Sequence, residues 1–289
     1  MDPSMFLDPL WAVLGWMLSK LHGFWLRHVR LRRLTRFFGK GIVDTRRACF
    51  VLPVFHPFSR AKFDTARTTM NKARAAAERQ LESIPVPMVN DVIVVDDYKA
   101  TEAVNALFAR SGGRPVPIVD DETVYQARSA AGCVVCIGGP RSNLVTADVL
   151  ADNSDFVAVD ESGQTLEDWR LILRAPRPVA LRSHRDRGLA LLLRIANRDN
   201  PATTTVLLLG CRGECTMAAG QYLCDHFPTL RRHLPSPRDR LAVVLSVSGG
   251  GFATCAPILI ATPDKTLLAD DHKLAAHAAT GATPSADAS

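Results

Sequence analysis

Between Ala48 and Val159 short apolar runs alternate with segments of helix-forming composition, and this alternation restricts the fold more than any other feature of the chain. Ala48 to Phe55 (ACFVLPVF) reads as a strand whose end is made irregular by its proline. Arg60 to Leu81, rich in Ala, Arg and Lys and free of Gly and Pro, reads as a helix. Asp91 to Asp96 (DVIVVD) predicts a strand, and Lys99 to Arg110 a helix stopped by Ser111-Gly112-Gly113. Pro115 to Val119 follows as a strand, Glu122 to Ala130 as a helix, Cys133 to Ile137 as a strand, Ser142 to Leu150 as a helix and Phe156 to Val159 as a strand. Parallel strands need crossovers of this length, so a mainly parallel sheet covered on both faces is expected.

The pattern changes beyond Val159. Trp169 to Leu173 and Leu189 to Ala196 read as strands joined by an Arg/Pro-rich stretch (RAPRPVALRSHRDRG) of loop composition, in which His184 is expected to be solvated. Thr204 to Leu209 is a buried strand entering a glycine turn, with a helix from Met217. Leu241 to Val247 and Phe252 to Ile260, separated by Gly249-Gly250-Gly251, predict a hairpin. The fold class is therefore α/β, a mainly parallel Rossmann-like sheet with an antiparallel C-terminal addition and an N-terminal amphipathic helix. Three regions follow: 1–45 (apolar, then basic), 46–263 (the α/β domain) and 264–289 (an Ala-rich segment expected to hold a short helix and a disordered end).

Residues 1–45 carry a second signal. Phe6, Leu10, Val13, Leu14, Met17, Leu21 and Trp25 recur at helical spacing. The uninterrupted apolar core, Leu10 to Leu18, is short for a bilayer span, and no small-residue cleavage site follows it. Arg27, Arg30, Arg32, Arg33, Arg36, Lys40, Arg46 and Arg47 come next against the single acid Asp44. An apolar helix followed by a basic stretch fits an interfacial helix on the inner face of a membrane, contributed by residues 5–37. It fits also a marginal signal anchor, or a helix packed on the domain or on a second copy. The formal net charge of +6 stems largely from this segment, so nucleic acid is not an expected partner, and the expected location is the cytoplasm.

Seven cysteines without a regular framework point to reduced thiols. Cys133 and Cys136 lie on a strand, where i and i+3 face opposite sides, whereas Cys211 and Cys215 flank a turn and are better placed to meet. No zinc spacing is present, and no metal site is assigned.

The candidate ligand site starts from Val134 to Asn143 (VVCIGGPRSN). A glycine pair between a strand and a helix turns tightly and exposes amide hydrogens, and a helix N-terminus favours an anion. Gly138 and Gly139 supply the turn, Arg141 a bidentate anion clamp, Ser142 an N-cap or a donor, and Asn143 a contact to a ribose or base. Ligands of open α/β sheets gather beyond the carboxyl ends of the strands, which adds Asp96, Asp97, Gly210, Gly213 and Thr216 to the same crevice. Asp96-Asp97 and Asp120-Asp121 are suited to Mg²⁺ or a ribose, and equally to capping the helices that follow them. Neither a P-loop nor GxSxG nor HExxH occurs, and no catalytic residue and no cofactor is assigned.

GGPRSN after a strand, followed by a second strand and the turn Leu209-Gly210-Cys211-Arg212-Gly213-Glu214-Cys215-Thr216, resembles the Rossmann-like nucleotide-binding families around the SLOG superfamily. These include the lysine-decarboxylase-like nucleotide phosphoribohydrolases, with the pattern Pro-Gly-Gly-x-Gly-Thr-x-x-Glu. The resemblance extends over Asp91 to Thr262 and implies a phosphate-cradling role for Gly213 and Thr216. Cys215 stands where the pattern has Gly, and Ala219 where it has the catalytic Glu. The order of elements is similar also to uncharacterised actinobacterial proteins with a GGPxSN segment.

Three functions fit the sequence. The first is a sensor or regulatory module for a nucleotide or nucleotide-derived ligand. The second is a nucleotide-processing hydrolase acting on an N-glycosidic bond, with Asp96, Asp97 and Glu214 as candidate carboxylates. The third is an interaction protein that self-associates into a homo-oligomer through its N-terminal helix.

Overall fold

The computed structural model describes residues 4–39, 42, 48–55, 92–126, 133–160, 169–174, 178–184, 186–196, 204–234, 236, 239–248 and 254–268. The expected helix from Arg60 to Leu81, the triple-glycine turn and the expected tail helix lie outside the described residues.

Eight strands form the central sheet, in the order β13-β12-β11-β9-β10-β5-β1-β4. Four of them, β1 (Ala48–Leu52), β4 (Ile118–Asp120), β5 (Cys133–Ile137) and β10 (Thr204–Gly210), run parallel to one another. The other four, β9 (Arg187–Ala196), β11 (Leu241–Ser248), β12 (Thr254–Ala261) and β13 (Thr266–Leu268), extend the sheet antiparallel beyond β10. The antiparallel part thus begins at Arg187, earlier than the terminal hairpin. Apart from Gly210, which is partly exposed, β10 is buried throughout, and Leu189–Leu193 of β9 and Leu241–Leu245 of β11 are buried as well, so unbroken apolar runs mark the middle of the sheet.

Three helices follow parallel strands directly or precede them: α2 (Val95–Arg110), α3 (Asp121–Gln126) and α4 (Leu144–Asp152). A further helix, α5 (Gly213–Leu230), follows β10. Chain travel reverses after β4, because β4 lies on one side of β1 and β5 on the other. Right-handed crossovers of opposite travel put α2 on one face and α3 with α4 on the other. α2 packs along α5, so closely that a Cβ on Gly220 of α5 would lie 2.9 Å from the Ala100 Cα of α2.

Several expectations are corrected. Of the expected strand from Asp91 to Asp96, the described residues 92–96 do not join the central sheet. Among the described residues of the run only Val92–Ile93 form a strand, β3, paired with β2 (Val54–Phe55); Val94 is the extended N-cap of α2, which begins already at Val95. Asp96 and Asp97 therefore sit in a first helical turn, where carboxylates complement the helix dipole. The run at Phe156 becomes β6 (Val157–Asp160), which leaves the central sheet and joins β7 (Arg170–Leu173) and β8 (Val179–Arg182) in a separate antiparallel sheet. β8 lies within the Arg/Pro-rich stretch read as loop, and His184 beyond it is bridged to Arg187 with its Nε2 buried. At the C-terminal end, β13 is a strand that begins past Pro263.

α1 (Ser4–Phe38) is one helix of 35 residues. Among its described side chains, only those of the last turns enter the core. Phe38 packs edge-on against Phe108 of α2, and Phe37 edge-on against Phe227 of α5, at ring separations of 4.8 and 5.3 Å. Arg194 of β9, completely buried, holds this end by donating to the Phe37 carbonyl at 2.6 Å. The outer part projects from the body. Val13, Leu14, Trp16, Met17, Leu18, Leu21, Phe24 and Trp25 are 44–71 % exposed. No helix of the described residues is long and apolar enough to cross a membrane, so the signal-anchor reading finds no support in α1.

Candidate functional site

Strand order reverses between β1 and β5, and in open α/β sheets the crevice for ligands opens at that point, beyond the carboxyl ends of the strands. Three segments meet there. β5 ends in Gly138, β10 leads through Gly210 into α5, and α2 presents Asp96 and Asp97. Gly138 has φ +103°, a conformation that favours glycine, and its missing Cβ would lie 3.2 Å from Asp97 Oδ2 and 3.3 Å from the Pro53 ring. A Cβ on Gly213 would lie 2.7 Å from Asp96 Oδ2. The Asp96-Asp97 pair is thus wedged between the ends of β5 and the start of α5. The sequence grouping of Asp96, Asp97, Gly138, Gly210 and Gly213 around one edge holds in space.

Part of the GGPRSN turn serves the fold itself. Several of its donors are used within the protein. Gly138 N–H donates to the Leu208 carbonyl, and the Gly139 carbonyl accepts from Ser142 N–H, Asn143 N–H and the Ser142 hydroxyl. The N-cap of α4 is Asn143, not Ser142; its Oδ1 accepts from Thr146 N–H at 3.0 Å. Its Nδ2 donates to Val51 O of β1 at 3.1 Å and to Ile137 O of β5 at 3.0 Å. Asn143 is wholly buried, so it stitches the two strand ends together rather than facing a ribose or base. The anion at the start of α4 is internal: Asp121 Oδ2 accepts Leu144 N–H at 2.8 Å, from a fully buried carboxylate. Asp120 next to it caps α3, accepting Thr123 N–H at 2.7 Å. Sequence reasoning gave Asp120-Asp121 this capping option but not the helix that Asp121 serves. Gly139, Arg141 and Ser142 remain partly exposed on the turn's outer side.

The start of α5 is different. Its N-cap, Arg212, makes no side-chain cap, and Cys215 N–H and Thr216 N–H turn back to the Arg212 carbonyl. The Arg212 guanidinium pairs with Glu214 at 3.2 Å. Thr216 is buried, so its hydroxyl does not line an open surface. At the end of β5, Asp97 is 4 % exposed, and no hydrogen bond or ion pair holds its carboxylate among the described residues; Asp96, not Asp97, lies at the start of α5. Burial, with Asp96 beside it, pushes the Asp97 carboxyl up to about 7. A buried carboxyl half-protonated at neutral pH either donates to or accepts from a polar ligand. Among the described residues no cluster of His, Cys, Asp and Glu is arranged for a metal ion.

Cys211 and Cys215 were missed as site residues. Their Sγ atoms are 3.7 Å apart at the same helix start. The sequence signal was the CxxxC spacing across a strand-to-helix turn.

Comparison with known proteins adds no relative: no family model, no curated protein and no solved structure matches the chain.

Proposed function

We propose that the protein binds a nucleotide or nucleotide-derived ligand as a sensor or regulatory module, in the crevice at the β1/β5 reversal. The observation that carries this reading is the Asp96-Asp97 pair: Asp97, a buried carboxyl with no hydrogen bond or ion pair among the described residues, lies at the end of β5, and Asp96 lies beside Gly213 at the start of α5. A ligand phosphate is suited to the first turn of α5, beside the Arg212 guanidinium, and a ribose hydroxyl or a base amine to Asp97. The similarity of the Gly210–Thr216 turn to the SLOG-type families supports the same ligand class. Arg141 borders the site from the outer side of its turn.

A thermal-shift screen of the full chain against nucleotides, dinucleotides and cyclic nucleotides tests this reading, with Asp97→Asn and Arg141→Ala in parallel. A ligand at 100 times its dissociation constant stabilises the fold by about 2.7 kcal/mol. A shift in the parent chain that is lost in Asp97→Asn is the expected result. A cooperative melt unmoved by every compound refutes the proposal.

Asp97 also favours a second reading, hydrolysis of an N-glycosidic bond. A general acid or base works best when its pKa lies near the operating pH, and Asp97 is held there. Release of free base from the same panel distinguishes turnover from binding.

The projecting part of α1 supports a membrane-facing placement. Its exposed side chains cover roughly 200° of the helix circumference at 100° per residue, wider than the stripe a single helix partner buries. Arg27 to Arg36 follow where an anionic headgroup layer would lie.

A further inference from the structure

At the start of α5 two thiols face each other in an asymmetric setting. Cys211 Sγ lies 3.7 Å from Cys215 Sγ and accepts the backbone N–H of Leu189 at 3.3 Å. Gly188 makes room for the pair: a Cβ there would lie 2.4 Å from Cys215 Sγ and 3.2 Å from both Cys211 Sγ and Arg212 Nη2. Cys215 is fully buried, whereas Cys211 keeps 8 % of its surface open. The surroundings divide the roles of the two. The hydrogen bond from Cys215, the Leu189 N–H, the Arg212 charge and the Ser183 hydroxyl outweigh burial and pull the Cys211 thiol down to about 7. The same contact, with burial, pushes Cys215 up. Burial pushes up the other five cysteines as well.

We propose that Cys211 and Cys215 form a dithiol–disulfide redox site, with Cys211 as the sulfur that meets a small peroxide and Cys215 as the resolving thiol. The Cys211 thiolate attacks one peroxide oxygen and the O–O bond breaks. Cys211 becomes a sulfenic acid, and the other oxygen leaves as hydroxide, which takes up a proton to form water. The Cys215 sulfur then attacks the Cys211 sulfur. The S–S bond forms, the S–O bond breaks, and a second water leaves with the Cys215 proton. The pair loses two protons and two electrons, the peroxide gains them, and an external dithiol reverses the change by exchange. A bonded S–S distance is about 2 Å, so the approach needed is short and lies within the reach of a side-chain rotation.

Nothing in this chemistry requires a nucleotide, so the test stands apart from the ligand screen. The reduced full chain is treated with hydrogen peroxide, denatured, alkylated and weighed. Two fewer thiols alkylate than the seven of the reduced chain. Trypsin cuts after Arg212, between the two cysteines, so the bond appears as two peptides joined through Cys211 and Cys215 and released by dithiothreitol. In Cys215→Ser the reaction stops at a Cys211 sulfenic acid trapped by a cyclic diketone. Retention of all seven thiols by the folded parent chain, or a disulfide between any other pair, overturns the proposal. The parent-chain measurement decides even if the variant fails to fold.

Discussion

Asp97 Oδ2 lies 3.2 Å from where a Cβ would stand on Gly138, so a buried carboxyl of α2 closes directly over the end of β5. Folding raises this carboxyl from its ordinary value of 3.8 to about 7. Between those values the folded chain binds more protons than the unfolded one. The contribution is therefore fully present below about pH 4 and is lost as pH rises to about 7, at up to about 1.4 kcal/mol per pH unit. Asp97→Asn is expected to flatten that part of the profile and to raise stability at pH 8 relative to the parent. Urea denaturation from pH 4 to 8 measures both.

Asn143 joins three pieces of backbone, and its loss is expected to be severe. Asn143→Ala removes the α4 cap and two hydrogen bonds at the ends of β1 and β5, a destabilisation of about 2–4 kcal/mol. Asn143→Asp keeps the cap acceptor but points a carboxylate at two carbonyls, and is expected to be no better. The urea midpoints of both variants give the order.

Arg194 ties β9 to the last turn of α1 and to the Asp239 carbonyl, and Thr204 Oγ1 also accepts from it. Burial pulls its guanidinium down to about 10, so it stays charged at neutral pH. Arg194→Met leaves those acceptors buried and unmet, at about 3 kcal/mol or more. Amide hydrogen exchange is expected to rise first near Leu34 and Phe38, ahead of β10.

Alkylation of Cys211 is expected to be half-maximal near pH 7, because its thiolate is favoured by the Cys215 hydrogen bond. Cys215→Ala removes that donor, so the midpoint moves upward. A pH series of iodoacetamide labelling, read by peptide mass, follows it.

The projecting helix is expected to bind vesicles containing anionic lipid, more weakly as salt rises. Deleting residues 1–26 removes the exposed apolar part and keeps Leu34, Phe37 and Phe38 in the core. Co-sedimentation is expected to vanish while cooperative melting persists. Unchanged sedimentation together with a fall from dimer to monomer assigns the helix to self-association instead.

Much of the fold was legible because its signals are local. Cys133–Ile137 is a strand at the bounds its apolar run gives, and the Cys211–Cys215 turn brings the two thiols near each other as spacing implies. Other parts were not legible because partners, not propensity, decide them. DVIVVD has the composition of a strand, yet among the described residues only Val92 and Ile93 pair with another strand, and Val95 enters a helix that buries Val104 and Phe108. β6 has strand composition too, but it pairs with β7 outside the central sheet.

The sequence by itself determined that strands and helices alternate, that glycine turns follow β5 and β10, and that an apolar helix precedes a basic stretch. Those properties follow from the backbone freedom and hydrophobic period of neighbouring residues. What meets each turn was decided only by tertiary structure. Asp121 is 23 residues from Leu144 and fills the start of α4 from within, while at the start of α5 the N-cap Arg212 makes no side-chain cap and Asp96 of α2 approaches Gly213. The two helix starts look equally available in one dimension, because a carboxylate brought in from another part of the chain leaves no mark beside the turn it fills.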